Sequence, residues 1–157
     1  MTVYIASYRE LFALVAARPR MYLPRDDFAT VVAYVEGCDQ GNARALLAGF
    51  REWLITRAGC GDNLVWWALV QKLAQPESAD GAENLTPDND IAAKQTLFRL
   101  LDEFLELRDE HDGLQRIYAA YQQWRTARAD DGCAASGQPG CPVALWPRPR
   151  SRTESHR

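Results

Sequence analysis

The chain has 157 residues, 47% of them hydrophobic and 25% charged, with a formal net charge of −3. That is enough apolar side chain for one domain to fold without disulfides or metal. The acidic balance excludes non-specific nucleic-acid binding, which needs clustered basic groups to displace phosphate counterions. No apolar run approaches membrane-spanning length and no signal-peptide pattern opens the chain, so a cytoplasmic protein with free thiols is expected.

The charge is uneven. Residues 1–128 hold 14 Lys+Arg against 18 Asp+Glu, a net of −4, whereas residues 129–157 carry +1. The cations are 16 Arg and only 2 Lys, Lys72 and Lys94. Alongside abundant Ala, that bias reads as codon usage in a GC-rich genome rather than as phosphate recognition.

Ser7-Tyr8-Arg9-Glu10 fits a capping box, and Tyr8, Leu11, Phe12 and Val15 then share one face of a first helix. Pro19 closes it, because the residue before a proline is pushed out of helical geometry. Residues 18–24, with a proline near each end, are expected to form an extended connector. Asp26 or Asp27 caps a second helix with Phe28, Val31, Val32 and Val35 on its apolar face. Its β-branched residues make a strand the competing reading, but the i, i+3, i+4, i+7 spacing favours the helix.

Leu46, Leu47, Phe50, Trp53 and Leu54 give a third stripe that ends at Gly59-Cys60-Gly61. Gly49 beside it marks either a close approach by a neighbouring backbone or a break. Asp62 is expected to cap a fourth helix from Asn63 to Leu73. Its apolar residues point in every direction, the pattern of a helix buried at the centre of a fold. Residues 74–86 read as a polar surface loop.

Thr86-Pro87 starts a long fifth helix running to about Glu110, with Leu97, Phe98, Leu100, Leu101, Phe104, Leu105 and Leu107 on its apolar side. Asp102, Glu103, Glu106, Asp109 and Glu110 fall opposite, as an acidic strip facing solvent, softened by Arg99 four residues before Glu103. After Asp112-Gly113 a last helix presents Leu114, Ile117, Tyr118, Tyr121 and Trp124. Beyond Arg128 the composition turns to Gly, Pro, Ala, Ser and Arg, and 129–157 reads as a largely disordered tail. The expected fold is all-α, an irregular bundle of five to six helices over 1–128 around a central apolar helix.

No catalytic constellation accompanies these helices. Cys38, Cys60, Cys133 and Cys141 form no C-x-x-C pair, and only His111 and His156 could join them, so no zinc or other metal site is expected. Cys38 or Cys60 with His111 as a nucleophile and base has no support in spacing; inert thiols and a helix-end histidine are the plainer account. The acids of 102–110 lack the sheltered setting that general acid work needs, and the E-x-x-H element of helical di-iron sites is absent. No cofactor is expected. Most of the five tryptophans and six tyrosines read as packing residues, with one or two at a groove edge as anchors for a partner.

Two resemblances remain. Arg18-Pro19-Arg20-Met21-Tyr22-Leu23 resembles the R-P-G-M-Y-I-G element of type II topoisomerase ATPase domains. Arg20 and Pro24 replace both glycines, and the glycine-rich lid elements are missing, so an ATPase is rejected. The chain is also similar to small, mostly helical bacterial proteins carrying R-P-x-M-Y and G-F-x-x-W-L, here Arg18 to Tyr22 and Gly49 to Leu54. Some of those resemble immunity proteins of toxin systems. This resemblance implies a non-catalytic helical protein-binding protein, an immunity-type inhibitor with a toxin domain as partner.

On that reading Tyr22, Trp53, Trp66 and Trp67 are the aromatic anchors for a partner, and Asp102, Glu103, Glu106 and Glu110 steer a basic toxin domain. Charge reversal of the acids should then slow association with little loss of stability. The alternative is a small-molecule sensor or minor enzyme with an aromatic pocket between helices.

Overall fold

The computed structural model describes residues 7–75 and 87–130, which form six α-helices and one 3-10 turn with no strand among them. Helix α1, Tyr8–Ala17, begins where Ser7 Oγ accepts a hydrogen bond of 3.2 Å from the Glu10 N–H. It buries Phe12 and Val15. The Arg18 N–H returns to the Leu14 carbonyl and closes the helix just before Pro19.

The connector that follows is not extended. Pro19–Met21 is a 3-10 turn with proline in its first position, where a fixed φ suits a helical start and the missing N–H is not needed. Tyr22 and Leu23 both donate backbone hydrogen bonds to the Pro19 carbonyl, at 3.0 and 2.8 Å, and the buried Leu23 side chain fastens the turn to the core.

Helix α2, Phe28–Gly41, takes Asp27 rather than Asp26 as its cap. Asp27 Oδ1 accepts from both the N–H and the hydroxyl of Thr30, each at 2.8 Å. These bonds, the hydroxyl's first, hold the Asp27 carboxyl below its ordinary pKa. Because the folded value is the lower one, the stabilisation is complete at neutral pH and is lost as pH falls through the folded value. Asp27→Ala should therefore cost about 1 kcal/mol at pH 7. In urea titrations at stepped pH, that gap should close in acid; a gap independent of pH would contradict the assignment. Phe28, Val31 and Val35 are buried as their helical spacing requires, so the strand alternative falls away.

Helix α3, Phe50–Ala58, starts at a break rather than running on from Leu46. Gly49 caps it at φ +85°, and a Cβ there would sit 2.9 Å from Leu114 Cδ1. The close neighbours of this glycine are side chains of the last helix, not a backbone.

Helix α4, Trp66–Ala74, begins three residues later than its apolar run implies, with Val65 as cap and no side-chain bond from Asp62. The carbonyls of Asp62 and Leu64 instead accept from Arg51. Trp66 to Val70 still point in every direction, but Trp67 and Lys72 are exposed, so the helix is not buried all round.

The central position belongs to α5, Pro87–Asp109, which packs against α1, α2, α4 and α6. Its Leu97, Leu100, Leu101 and Phe104 are fully buried. Phe104 meets Phe50 at 4.9 Å and Trp53 at 5.9 Å between ring centroids. The expected cap Thr86 lies outside the described residues. Helix α6, Gly113–Asp130, follows a tight turn through Asp112, at φ +57°, and packs mainly on α3. It passes the expected end at Arg128 by two residues. Residues 131–157, nearly all of the expected tail, lie outside the described residues.

Long-range polar pins complete the frame. The Phe28 N–H donates 2.7 Å to Asp90 Oδ1, tying the start of α2 to α5. Lys94 reaches Asp26 at 2.7 Å and Asp90 at 3.3 Å. Burial alone would lower the Lys94 pKa, but hydrogen bonds to these two carboxylates prevail and raise it. Asp39, the one buried charged side chain among the described residues, accepts from the Leu47 N–H at 2.8 Å and pins the loop before α3.

Candidate binding surface

The anchors expected from sequence divide into core and surface. Trp53 is only 3% exposed and Trp66 only 8%, so neither is available to a partner. Trp53 stacks on Phe50 with Arg57 over its ring at 5.0 Å, and the Trp66 indole donates its N–H to Glu36. Both are packing residues, and the polar edge of Trp66 is satisfied within the chain. Tyr22 is half-buried against the core. Trp67 is 38% exposed, next to the exposed Val65, and meets Trp66 edge-on at 5.7 Å.

The acids are not a bare strip. Asp102 and Glu106 both pair with Arg9 of α1, Glu106 at 3.4 Å. Glu103 pairs with Arg57 of α3 and, at 2.9 Å, with Arg99. Glu110 pairs with Arg116 at 2.9 Å. The hydrogen bond to Asp102 in turn raises the pKa of Arg9. Arginines from flanking elements thus neutralise charge that the helix alone would offer to solvent, and long-range steering weakens accordingly.

Charge reversal here is therefore not free of structural consequence. Glu103→Lys would place an ammonium beside Arg57 and Arg99, and a loss on the order of 1 kcal/mol is expected from chemical denaturation. An unchanged stability would show that the Glu103 pairs contribute nothing.

Among the described residues no nucleophile and base come together. His111 is exposed with its imidazole 3.1 Å from Asp112, in the α5–α6 turn. Cys60 is buried, and Cys38 is half-buried, its thiol pKa raised by desolvation against a smaller opposing hydrogen bond from Tyr34. Such a thiol stays protonated near neutral pH and is a poor nucleophile. Among the described residues no group of three or more His, Cys, Asp or Glu is placed to hold a metal.

A groove of about 470 Å³ runs between α1 and α5, lined by Phe12, Ala13, Ala16, Phe98 and Leu105, with Arg9 and Asp102 at its rim. That arginine and aspartate are committed to each other. The groove has apolar walls but no convergent free polar groups to orient a small ligand.

The largest apolar exposure lies beside the expected anchor Tyr22, at a residue that is not itself among the expected anchors. Met21 is 70% exposed at the tip of the 3-10 turn. Tyr22 follows it, and Tyr34 of α2 is close enough for Tyr22, Tyr8 and Cys38 to help raise its phenol pKa, after desolvation as the main cause. Asn42 links this cluster to α1, donating to the Tyr8 hydroxyl and to the Cys38 carbonyl. The sequence signal was Pro19 and Pro24 framing the segment, which marks a rigid turn as readily as an extended one.

Comparison with known proteins adds no assignment: no family model matches the chain, and no curated protein or solved structure is similar to it.

Proposed function

We propose that this chain is a non-catalytic helical protein-binding protein, of the immunity type that inhibits a bacterial toxin by covering its working surface. One observation carries the binding reading. Met21, Val65 and Trp67 are large apolar side chains left in water on backbone that the helices and the hydrogen-bonded turn hold in place. Apolar and aromatic side chains on a fixed backbone are what a binding surface uses, because the backbone then loses little conformational freedom on docking. The toxin-inhibitor form rests on the motif resemblance alone.

The test is capture of partners by the tagged full chain from cells that express it, run beside Met21→Ala and Trp67→Ala variants. A stoichiometric protein lost from either variant supports the reading. It would be overturned if a metabolite panel raised the melting temperature while no protein was retained, since that outcome belongs to a small-molecule sensor.

A further inference from the structure

Most arginines of the described residues are engaged. Arg9, Arg25, Arg57, Arg99 and Arg116 are in ion pairs, Arg51 and Arg108 bind backbone carbonyls, and Arg125 and Arg128 lie over aromatic rings. Arg18, Arg20 and Arg44 differ. All three are exposed, and none has an ion pair, side-chain hydrogen bond or ring contact. Arg44 lies by itself in the loop between α2 and α3, whereas Arg18 and Arg20 flank Pro19 in the hydrogen-bonded turn that carries Met21.

We infer that the Arg18–Tyr22 turn is the docking knob of the protein, and that its occupant is an acidic protein segment. That segment would have an apolar pocket for Met21 and carboxylates at the rim for Arg18 and Arg20. This deepens the protein-binding reading and rests on it. Three observations converge. The backbone of the turn is prearranged by the Pro19 ring, three backbone hydrogen bonds and the buried Leu23, so docking has only its side chains left to order. Its residue types, Met, Tyr and Arg, are those enriched where interfaces are buried.

Its charge is the third observation. Guanidinium groups without an internal acid are free to form the planar two-point bonds that carboxylates accept. Asp102, Glu103 and Glu106 of α5 are the reverse case, already matched within the chain. Charge complementarity thus points to an acidic partner surface, not the basic one that the acid-rich sequence first implies. The half-buried Tyr22 and Tyr34 beside the knob extend the contact with aromatic surface and hydroxyl groups.

The experiment selects binders from a display library of random short peptides on the immobilised full chain. Binding of the enriched peptides is then measured to wild type, Arg18→Glu/Arg20→Glu, Met21→Ala and Trp67→Ala. Thermal melting confirms that the exposed substitutions leave the fold intact. The expected result is enrichment of Asp or Glu around an apolar residue, with affinity falling about tenfold or more in the arginine double variant and in Met21→Ala. That affinity should also fall with added salt. Basic peptides, or acidic ones indifferent to the arginines, would overturn the inference. Anionic phospholipid vesicles that bind through the same arginines better than any peptide would overturn its assignment to a protein. Peptides lost only in Trp67→Ala would sink the knob but leave protein binding standing. A selection returning no binder, joined to metabolite stabilisation, would remove both.

Discussion

Phe104→Ala is expected to lower the unfolding free energy by about 3–5 kcal/mol, the range for emptying a large aromatic site in a core. Phe104 is fully buried on the central helix, and its ring meets both Phe50 and Trp53. The three rings join α5 to α3, the helix on which α6 mainly packs. A small domain holds only about 5–15 kcal/mol in total, so the variant should be marginal or unfolded at room temperature. Urea denaturation followed by circular dichroism measures it. A loss below about 1 kcal/mol would mean that the neighbouring helices collapse into the space, and that α5 is not the rigid centre.

Gly113→Ala should be nearly as damaging, about 3 kcal/mol, for a different reason. A Cβ at Gly113 would stand 2.1 Å from the Leu107 carbonyl oxygen and 3.0 Å from that of Arg108. Both obstacles are backbone of the last turn of α5, so relief requires unwinding that turn or reopening the link to α6. The Leu107 oxygen also accepts from the Glu110 N–H at 3.3 Å, which unwinding would forfeit. Gly37→Ala supplies the control. It lies inside α2 with nothing within 4 Å of its added Cβ, and it should stabilise the chain by about 0.5–1 kcal/mol. Equal effects at both positions would show that the cost at Gly113 is not steric.

Much of the architecture was legible because it is written locally. A serine three residues before a glutamate, an aspartate before Phe28 and a leucine stripe at helical spacing each specify an element through neighbours in the chain. The expected all-helical bundle is what forms. What local pattern cannot say is which element covers which face. Trp53 and Trp66 lie on apolar faces either way; only their packing among Phe50, Phe104 and Glu36 shows that they belong to the core. The α5 acids fall opposite the leucines as the helical wheel predicts. Arg9, 93 residues away from Asp102 in the chain, then arrives from α1 to pair with them.

Two expectations failed for local reasons. The apolar run at 64–73 points all round even from Trp66, where α4 starts, so pattern alone makes a short flanking helix look central although Trp67 lies in solvent. Pro19 as a helix breaker points to extended chain, yet proline is equally at home in the first position of a helical turn, which is where it sits. The exposed Met21 follows from that turn, and no apolar periodicity could have revealed it. The partner-binding role proposed for Trp67 draws on its exposure, and that of Tyr22 on its place beside the exposed Met21.

Met21 offers a direct probe of the proposed mode of action, since its only fellow methionine is Met1. With both methyl groups isotopically labelled, the full chain is titrated with the protein it captures and the two methyl resonances are followed. Docking through the knob predicts that the Met21 resonance shifts at stoichiometric partner and loses its exposure to a soluble paramagnetic agent. A saturated complex in which the Met21 methyl neither shifts nor becomes shielded would contradict it.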